Sequence, residues 1–309
     1  MINTVTKKVN LSDLGSALCH EHIICCNTAM RNAFGESYFD TKAVTDKAVL
    51  MLKDAKQAGI DTIIDATPID LGRDVLLLKE VSEKSGVNII ASSGLYYSEE
   101  PTFCGKPPSQ IAKYFIGECE KGLSGTDILP GMLKCATGRF GLSDVNKTLL
   151  EAMAIVQKET SLPLSCHNDH HQKTAYGQIE IFEKAGVNPE KVIIGHASDS
   201  YDIPYLEDLL KSGVYLAFDR IFPGAYPKQA LTIAELISKG YEDRLLVSHD
   251  FYAFIDFGTR DYGVTDQSSV GRDFCTVHKK LFPELKKLGA TDSQIHKLTH
   301  ENVYKLLKV

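Results

Sequence analysis

The chain has 309 residues, of which 43% are hydrophobic and 24% are charged, and its formal net charge is -6. This composition excludes disordered and collagen-like chains, and without a broad cationic field the protein has no visible means of attracting nucleic acid. No apolar segment follows the N-terminal lysines, as a secretory signal would require, and no run of about 18 apolar residues occurs that could span a membrane. We therefore expect a cytoplasmic protein.

Short apolar segments rich in Val, Ile and Leu alternate along the chain with longer segments of helical spacing. Eight segments are predicted to be strands, at 17–24, 62–66, 88–92, 131–135, 162–166, 192–196, 214–218 and 245–248. Helices are predicted between them at 41–58, 73–85, 109–121, 144–159, 174–185, 204–211 and 227–238, and after the last strand at 269–287 and 291–307. Since no linker divides the chain and no GxGxxG motif occurs, this order predicts one α/β domain, a TIM (β/α)8 barrel spanning residues 1–309.

Candidate metal ligands lie at the C-terminal ends of the predicted strands, which is the end that carries the chemistry in this fold. His20 and His22 end the first strand two residues apart and therefore point to the same face. His167 follows the fifth strand, His196 ends the sixth, and Asp250 follows the eighth. Each alone could be a hydrogen-bonded core residue or a helix cap, but imidazoles and a carboxylate converging on one place indicate a zinc, manganese or cobalt site.

Lys134 lies near the end of the fourth predicted strand. An unpaired ammonium is almost never buried, so we expect this lysine to have a partner, to be in a changed charge state, or to reach upward to a substrate phosphate.

The eight cysteines include no CxxC motif, which argues for reduced thiols rather than disulfides or thiolate zinc sites. Cys19, Cys135 and Cys166 each adjoin a candidate ligand. Alternation along a strand therefore predicts that they point outward, toward the helices.

Taken together, these residues resemble the motifs of the phosphotriesterase family, within the amidohydrolase superfamily. The matching segments are His20-Glu21-His22, Ser93-Gly94-Leu95-Tyr96-Tyr97, Lys134-Cys135-Ala136-Thr137, Cys166-His167, Gly195-His196, Asp219-Arg220 and Ser248-His249-Asp250. They occur in the family's order and strand positions, and the similarity spans essentially the whole chain.

The resemblance implies a site for two divalent metal ions, zinc being the first expectation. One ion would be held by His20, His22 and Asp250, and the other by His167 and His196. Lys134 would bridge them as its carbamate, together with a hydroxide. The resemblance also suggests a homodimer that acts on a small-molecule substrate.

The implied reaction is attack by the bridging hydroxide, which two cations make available near neutral pH. Asp250 would take its proton and return it to the leaving oxygen. His196 and the neighbouring Asp199 could relay that proton.

The family divides into lactonases, aryldialkylphosphatases and members of unknown activity, and the ligands do not separate them. Tyr96, Asp219 and Arg220 resemble the lactonase branch and are predicted to bind substrate. The chain has no tryptophan, so a Trp-lined pocket for aromatic organophosphates is excluded. A sugar lactone is therefore the first hypothesis, and an aryldialkylphosphatase is the alternative.

Loop residues give two further hypotheses about the substrate. Lys228, Arg260 and Tyr262 would bind the phosphate of a phosphorylated pentonolactone. An acyl-homoserine lactone would instead need an apolar channel, for which the candidates are Phe222, Phe251, Phe254 and Phe257.

Two hypotheses come from other functional classes. A deaminase of the same superfamily would hold one metal ion and would lack the bridging lysine, and a barrel that only binds sugar would hold none. The metal content per chain therefore separates these alternatives from the two-metal hydrolase.

Overall fold

The computed structural model describes residues 1–98, 100–256 and 272–308. A short antiparallel hairpin, β1 (Ile2–Asn3) and β2 (Lys8–Val9), precedes one parallel sheet of nine strands. These strands are β3 Ala17–Cys25, β4 Thr62–Asp65, β5 Asn88–Gly94, β6 Met132–Ala136, β7 Leu164–His167, β8 Val192–Ile194, β9 Tyr215–Phe218, β10 Leu245–Val247 and β11 Tyr252–Ile255. From β3 to β10 each strand pairs with the next along the chain.

The sheet curls until its last strands return to its first. β11 pairs in parallel with β3, with Tyr252 opposite His22. Just after β10, the Asp250 N–H donates to the His20 carbonyl at 3.1 Å, and Ser248 Oγ accepts from the His20 N–H at 2.9 Å. The predicted α/β barrel is therefore confirmed.

Helices surround the sheet: α1 Thr28–Phe34, α2 Thr41–Gln57, α3 Val75–Ser85, α4 Pro108–Lys121, α5 Asp144–Thr160, α6 Thr174–Ala185, α7 Ile203–Lys211, α8 Tyr226–Ser238, α9 Phe282–Lys287, α10 Asp292–Thr299 and α11 Glu301–Leu307. Several begin at a side-chain cap, such as Asp40 for α2, Asp74 for α3 and Ser143 for α5. Gly86 ends α3 in the left-handed conformation that favours glycine.

Some elements differ from the sequence-based prediction. The helix predicted at 291–307 is interrupted at His300, whose φ of -123° and ψ of -81° are not helical, so α10 and α11 are separate. In the helix predicted at 269–287, residues 269–271 lie outside the described residues, and Val277–Leu281 forms a π-helical turn before α9. Three elements were not predicted. The N-terminal hairpin and α1 are short, and β11 begins only five residues after β10 ends, so the prediction places it in the same loop.

Apolar side chains inside the barrel form a floor beneath its C-terminal end. They include Ile64, Ile90, Met132, Ile193 and Leu246, which come from different strands and are fully or almost fully buried. Such a packed interior is typical of this fold, and it confines polar chemistry to the mouth.

The prediction that Cys19 points outward is wrong, because Cys19 packs in the apolar cluster inside the barrel. The pairing of β3 with β4 shifts register between Leu18 and Glu21, and this irregularity breaks the strict alternation of side chains. Cys135 and Cys166 pack in the outer cluster, as predicted.

Among the helices of the described ranges, none combines the length and the apolar character that crossing a bilayer requires.

Candidate metal centre

The six predicted ligands all lie at the C-terminal end of the barrel strands. They are His20 and His22 on β3, Lys134 on β6, His167 at the end of β7, His196 just after β8, and Asp250 just after β10. All are buried or half-buried, with Lys134 only 1% exposed. The structure therefore brings the six side chains together at one mouth.

His20, His22 and Asp250 form the first group. Asp250 Oδ1 lies 3.1 Å from His22 Nε2 and 3.5 Å from His20 Nε2. One potential ligand atom from each of the three lies within 4.8 Å of the others. This spacing could hold a single cation.

Asp219 orients two of the imidazoles from below. Its Oδ2 accepts from His20 Nδ1 at 2.6 Å, and its Oδ1 accepts from His196 Nδ1 at 3.0 Å and from the His196 N–H at 2.8 Å. Since a carboxylate can only accept, the proton of each ring is on Nδ1, and each Nε2 offers a lone pair to the centre. Asp219 also lies within ligand distance of both rings, and three hydrogen bonds already engage its two oxygens.

His22 and His167 complete the set of rings. Thr67 Oγ1 lies 2.8 Å from His22 Nδ1, which leaves His22 Nε2 facing Asp250. His167 Nδ1 lies 2.6 Å from His196 Nε2 and 3.3 Å from the hydroxyl of Tyr96. Burial, reinforced by His196, holds the pKa of His167 well below its usual range, so this imidazole is neutral. Neutral imidazole nitrogens are the form that binds a metal ion.

Lys134 lies beside His20 in the same cavity wall and makes no direct ion pair among the described residues. Its Nζ is 3.1 Å from His20 Nε2, and no carboxylate oxygen of the described residues lies within 4.0 Å of it. Burial disfavours the ammonium and lowers the pKa of Lys134. Four imidazoles, one carboxylate and a lysine that is readily neutralised make a donor set that fits divalent cations better than an empty polar cluster.

Two of these residues have unusual backbone conformations. His196 has φ 58° and Asp250 has φ 49°, in the left-handed region that residues other than glycine rarely occupy. Such conformations persist where the surrounding structure enforces them, and they are enriched at functional sites.

A cavity of about 370 Å³ opens above the cluster. Its wall includes Tyr96 and Arg220, both predicted to bind substrate, together with Tyr97, Asp70 and Tyr252. Its volume is near the lower end of the range for small-molecule sites, about 300–1,000 Å³.

Two other predicted substrate contacts, Asp219 and Lys228, do not line this wall. Asp219 is fully buried beneath His20 and His196, so its role is to orient the imidazoles rather than to contact substrate. Lys228 is exposed on α8, with its ammonium 3.6 Å from the ring centre of Tyr201. Arg260 and Tyr262 lie outside the described residues.

Arg220 separates Asp250 from Asp199. Its Nε donates to Asp250 Oδ2 at 2.9 Å, and its Nη1 donates to Asp199 Oδ2. A guanidinium keeps its protons in proteins. Asp199 thus pairs with Arg220 rather than with Asp250 itself, and the proton relay through His196 and Asp199 stays a prediction.

Of the four phenylalanines proposed for an acyl channel, Phe222, Phe251 and Phe254 do not line the cavity. Phe251 and Phe254 are buried in the outer core against Phe274 and Phe39, and Phe222 packs under the guanidinium of Arg272. Phe257 lies outside the described residues.

Sequence reasoning missed three residues at this mouth: Glu21, Thr67 and Asp70. Thr67 and Asp70 follow β4, at the same end of the barrel strands as the ligands that were found. The positional rule could have found these two residues. The contacts of Glu21 depend on the tertiary structure.

Comparison with known proteins agrees with this geometry. The model of the phosphotriesterase family matches residues 1–307. A phosphotriesterase homology protein of Mycobacterium tuberculosis is 30% identical over 97% of this chain and 95% of its own. An aryldialkylphosphatase of Saccharolobus solfataricus is 30% identical over 95% of both chains, and an N-acetyltaurine hydrolase of Xenopus tropicalis is 23% identical over 97% of this chain and 96% of its own. The chain therefore belongs to the phosphotriesterase family and is a metal-dependent hydrolase, as the motifs in its sequence predict.

Proposed function

We propose that the protein opens lactones, with sugar lactones as the substrate class, at a centre of two divalent metal ions. The observation that carries the proposal is the position of Tyr96. Its hydroxyl lies 3.3 Å from His167 Nδ1 and lines the small cavity above the cluster. The Tyr96 hydroxyl is thereby held beside the imidazoles, close enough to donate a hydrogen bond to an oxygen of a lactone bound above them.

The metal ions would be held by the side chains of the two groups. His20, His22 and Asp250 would take one, and His167 and His196 would take the other. Zinc, manganese and cobalt all accept such ligands. When bound, the two ions would lower the pKa of water and polarise the scissile carbonyl.

Lys134 would join the two groups as a carbamate. The neutral Nζ adds carbon dioxide and releases one proton, which gives an anionic group with two oxygen ligands. What supports this is the burial of Lys134 and the absence of a carboxylate within 4.0 Å of it among the described residues. The carbamate would replace a buried amine, which makes no direct ion pair among the described residues, with an anionic group that could bind both metal ions.

Asp250 is the general base in this proposal. Arg220 holds Oδ2 at 2.9 Å, which leaves Oδ1 facing His22 and His20. Oδ1 would take a proton from the attacking water and return it to the ring oxygen when the ester bond breaks. Although burial alone would raise the pKa of Asp250, His20, His22 and Arg220 hold it well below its usual range, so the carboxylate begins the reaction ionised.

Tyr96 orients the substrate. Burial raises the pKa of its phenol well above the usual value, so the hydroxyl stays protonated and can donate a hydrogen bond to the lactone. The small cavity and the absence of tryptophan favour a compact lactone over an aromatic phosphotriester.

A phosphorylated pentonolactone remains a narrower form of the proposal. Lys228, which would bind the phosphate, is exposed beside Tyr201. The phosphate site would therefore depend mainly on Arg260 and Tyr262.

The proposal is tested by a substrate panel with protein loaded with zinc, manganese or cobalt. Lactone opening is followed by proton release, for sugar lactones, a pentonolactone 5-phosphate and an acyl-homoserine lactone. An aryl dialkyl phosphate and N-acetyltaurine represent the activities named for the relatives. We expect the highest kcat/KM with a sugar lactone. A higher kcat/KM with the phosphate ester or the amide would overturn the proposal.

A further inference from the structure

Asp70 places a carboxylate in the wall of the cavity at some distance from the predicted ligands. It follows β4, is half-buried, and lines the cavity together with His22 and Tyr96. Both of its oxygens accept from the Tyr96 N–H, at 2.8 and 3.0 Å. No Lys, Arg or His nitrogen of the described residues lies within 4.0 Å of these oxygens. Among the described residues, the carboxylate therefore has two backbone donors, the N–H groups of Tyr96 and of Asp70 itself, and no directly contacting cation, although the charge of Arg73 acts on it from a greater distance.

An ionised carboxylate can accept about four hydrogen bonds. The backbone N–H groups of Tyr96 and Asp70 leave part of this capacity unused. Burial in the wall raises the pKa of Asp70 to about 6, which still leaves the group mostly ionised at neutral pH. A charged acceptor with unused lone pairs in a small cavity is a binding group for donors on the substrate.

The surrounding wall indicates which donors these are. Arg220 lines the same cavity, so a positively charged substrate would meet a like charge. Tyr97, Ser98 and Tyr252 bring further hydroxyl groups to the wall. Hydroxyls both donate and accept, so a neutral ligand rich in hydroxyls matches a carboxylate on one side and protein hydroxyls on the other.

We propose that Asp70 is the specificity residue of the site and accepts hydrogen bonds from the hydroxyl groups of a polyhydroxylated lactone. Because the cavity holds only about 370 Å³, a molecule bound to Asp70 also reaches the imidazole cluster. The favoured substrates are aldonolactones that carry free hydroxyls rather than unsubstituted or acylated lactones. The inference rests on the proposed lactonase function and makes it more specific.

The test is the Asp70→Asn variant, assayed on D-ribono-1,4-lactone and on γ-butyrolactone, which has the same ring without hydroxyls. The asparagine oxygen still accepts from Tyr96, while one acceptor becomes a donor. We expect kcat/KM for ribonolactone to fall about 10- to 100-fold, as for the loss of a hydrogen bond to a charged group. The value for γ-butyrolactone is expected to stay within about 2-fold.

Asp74→Asn is the matched control. Asp74 lies four residues along the same segment and pairs with Arg31 away from the cavity, so neither substrate should be affected. Equal losses on both lactones in Asp70→Asn would overturn the inference, because Asp70 would then only support Tyr96. A wild-type protein that prefers γ-butyrolactone would also overturn it.

Ribitol separates this inference from the proposed function, because it carries the hydroxyls but no ester bond. Its binding to zinc-loaded wild type and to Asp70→Asn is measured by saturation-transfer NMR titration. We expect ribitol to bind at least about 5-fold more weakly to the variant. Equal affinities, or no binding to wild type, would overturn the role of Asp70 whether or not the protein opens lactones. Absent lactone turnover with ribitol binding that depends on Asp70 would overturn only the proposed function.

Discussion

Glu21 holds the backbone on both sides of Asp250. Its Oε1 accepts the N–H of His249 at 2.9 Å, and its Oε2 accepts the N–H of Phe251 at 3.1 Å. Oε1 also accepts from His249 Nδ1 at 2.7 Å. Glu21 is fully buried, and Asp250 between these two contacts has φ 49°. One outward-facing side chain of β3 thus enforces the left-handed conformation that aims the Asp250 carboxylate at the histidines of the same strand.

We expect Glu21→Gln to weaken the binding of metal ions and to slow turnover. The amide presents a donor to one of the N–H groups that the carboxylate accepts, so the backbone at Asp250 relaxes. Groups that orient a metal ligand are typically worth about 10- to 100-fold in affinity or activity. Calorimetric titration with cobalt or manganese and steady-state kinetics measure the two effects.

Glu118→Gln is the matched control for Glu21→Gln. Glu118 accepts from Arg73 and Ser93 outside the barrel. The Glu118→Gln substitution should lower the melting temperature and leave the affinity for metal ions unchanged. If Glu21→Gln lowered only the melting temperature, the role of Glu21 in positioning Asp250 would be refuted.

The positions of the candidate ligands were predictable because they follow from local rules. His20 and His22 share a face by strand alternation, and the C-terminal ends of parallel strands meet at one mouth. Neither rule needs the positions of distant residues. The same rules failed at Cys19, where the register shift in β3 breaks the alternation.

The residues that support the ligands were not predictable in this way. Asp219 was expected to contact substrate, but it lies under His20 and His196, and only the closed barrel brings those two rings to one carboxylate. Glu21 likewise acts on loop residues more than 200 positions away. Contacts of this kind depend on how the barrel closes, which no local pattern contains.

We expect Asp250→Asn to lower kcat at least about 100-fold, which is the smallest rate loss typical for removal of a general base. The substitution preserves shape, so folding should be retained, while a neutral amide is a weaker ligand than a carboxylate. Kinetics and metal content by elemental analysis test the prediction. Near-normal kcat with full metal content would refute the role of Asp250 as the base.

Asp199→Asn is the comparison for Asp250→Asn. Asp199 contacts Arg220 and is separated by it from Asp250. We therefore expect a change in kcat within about 3-fold, since a single partly exposed ion pair contributes little. A loss as large as that of Asp250→Asn would instead support a proton relay through Asp199.

Lys134→Met should reduce the metal content from about two ions per chain to one or fewer. Methionine fills a similar volume without an amine, so no carbamate can form. Native mass spectrometry of the wild type should show the added mass of one carbon dioxide, which acid removes. Lys191→Met is the control, because Lys191 donates to the carbonyls of Leu306 and Lys308 and lies far from the mouth. Two ions bound to Lys134→Met would contradict the bridging role.

Asp70→Asn is expected to stabilise the protein at neutral pH, although it impairs the binding of hydroxylated lactones. Burial raises the pKa of Asp70 from 3.8 to about 6, so folding disfavours its ionised form. The folded state is therefore destabilised above pH 6, and this penalty disappears as the pH falls through 6 toward 4. Two units of pKa correspond to about 3 kcal/mol at most, and partial exposure lowers this to about 1–2 kcal/mol.

Urea unfolding of metal-loaded wild type and Asp70→Asn at pH 8 and pH 5 measures this difference. The variant should be more stable at pH 8, and its advantage should shrink by about half at pH 5, where Asp70 of the folded wild type is mostly protonated. A variant that is less stable at pH 8 would mean that the bonds to Tyr96 outweigh the unfavourable burial of the charge. A gain in stability combined with a loss of ribonolactone turnover would indicate that the charge is retained for substrate binding.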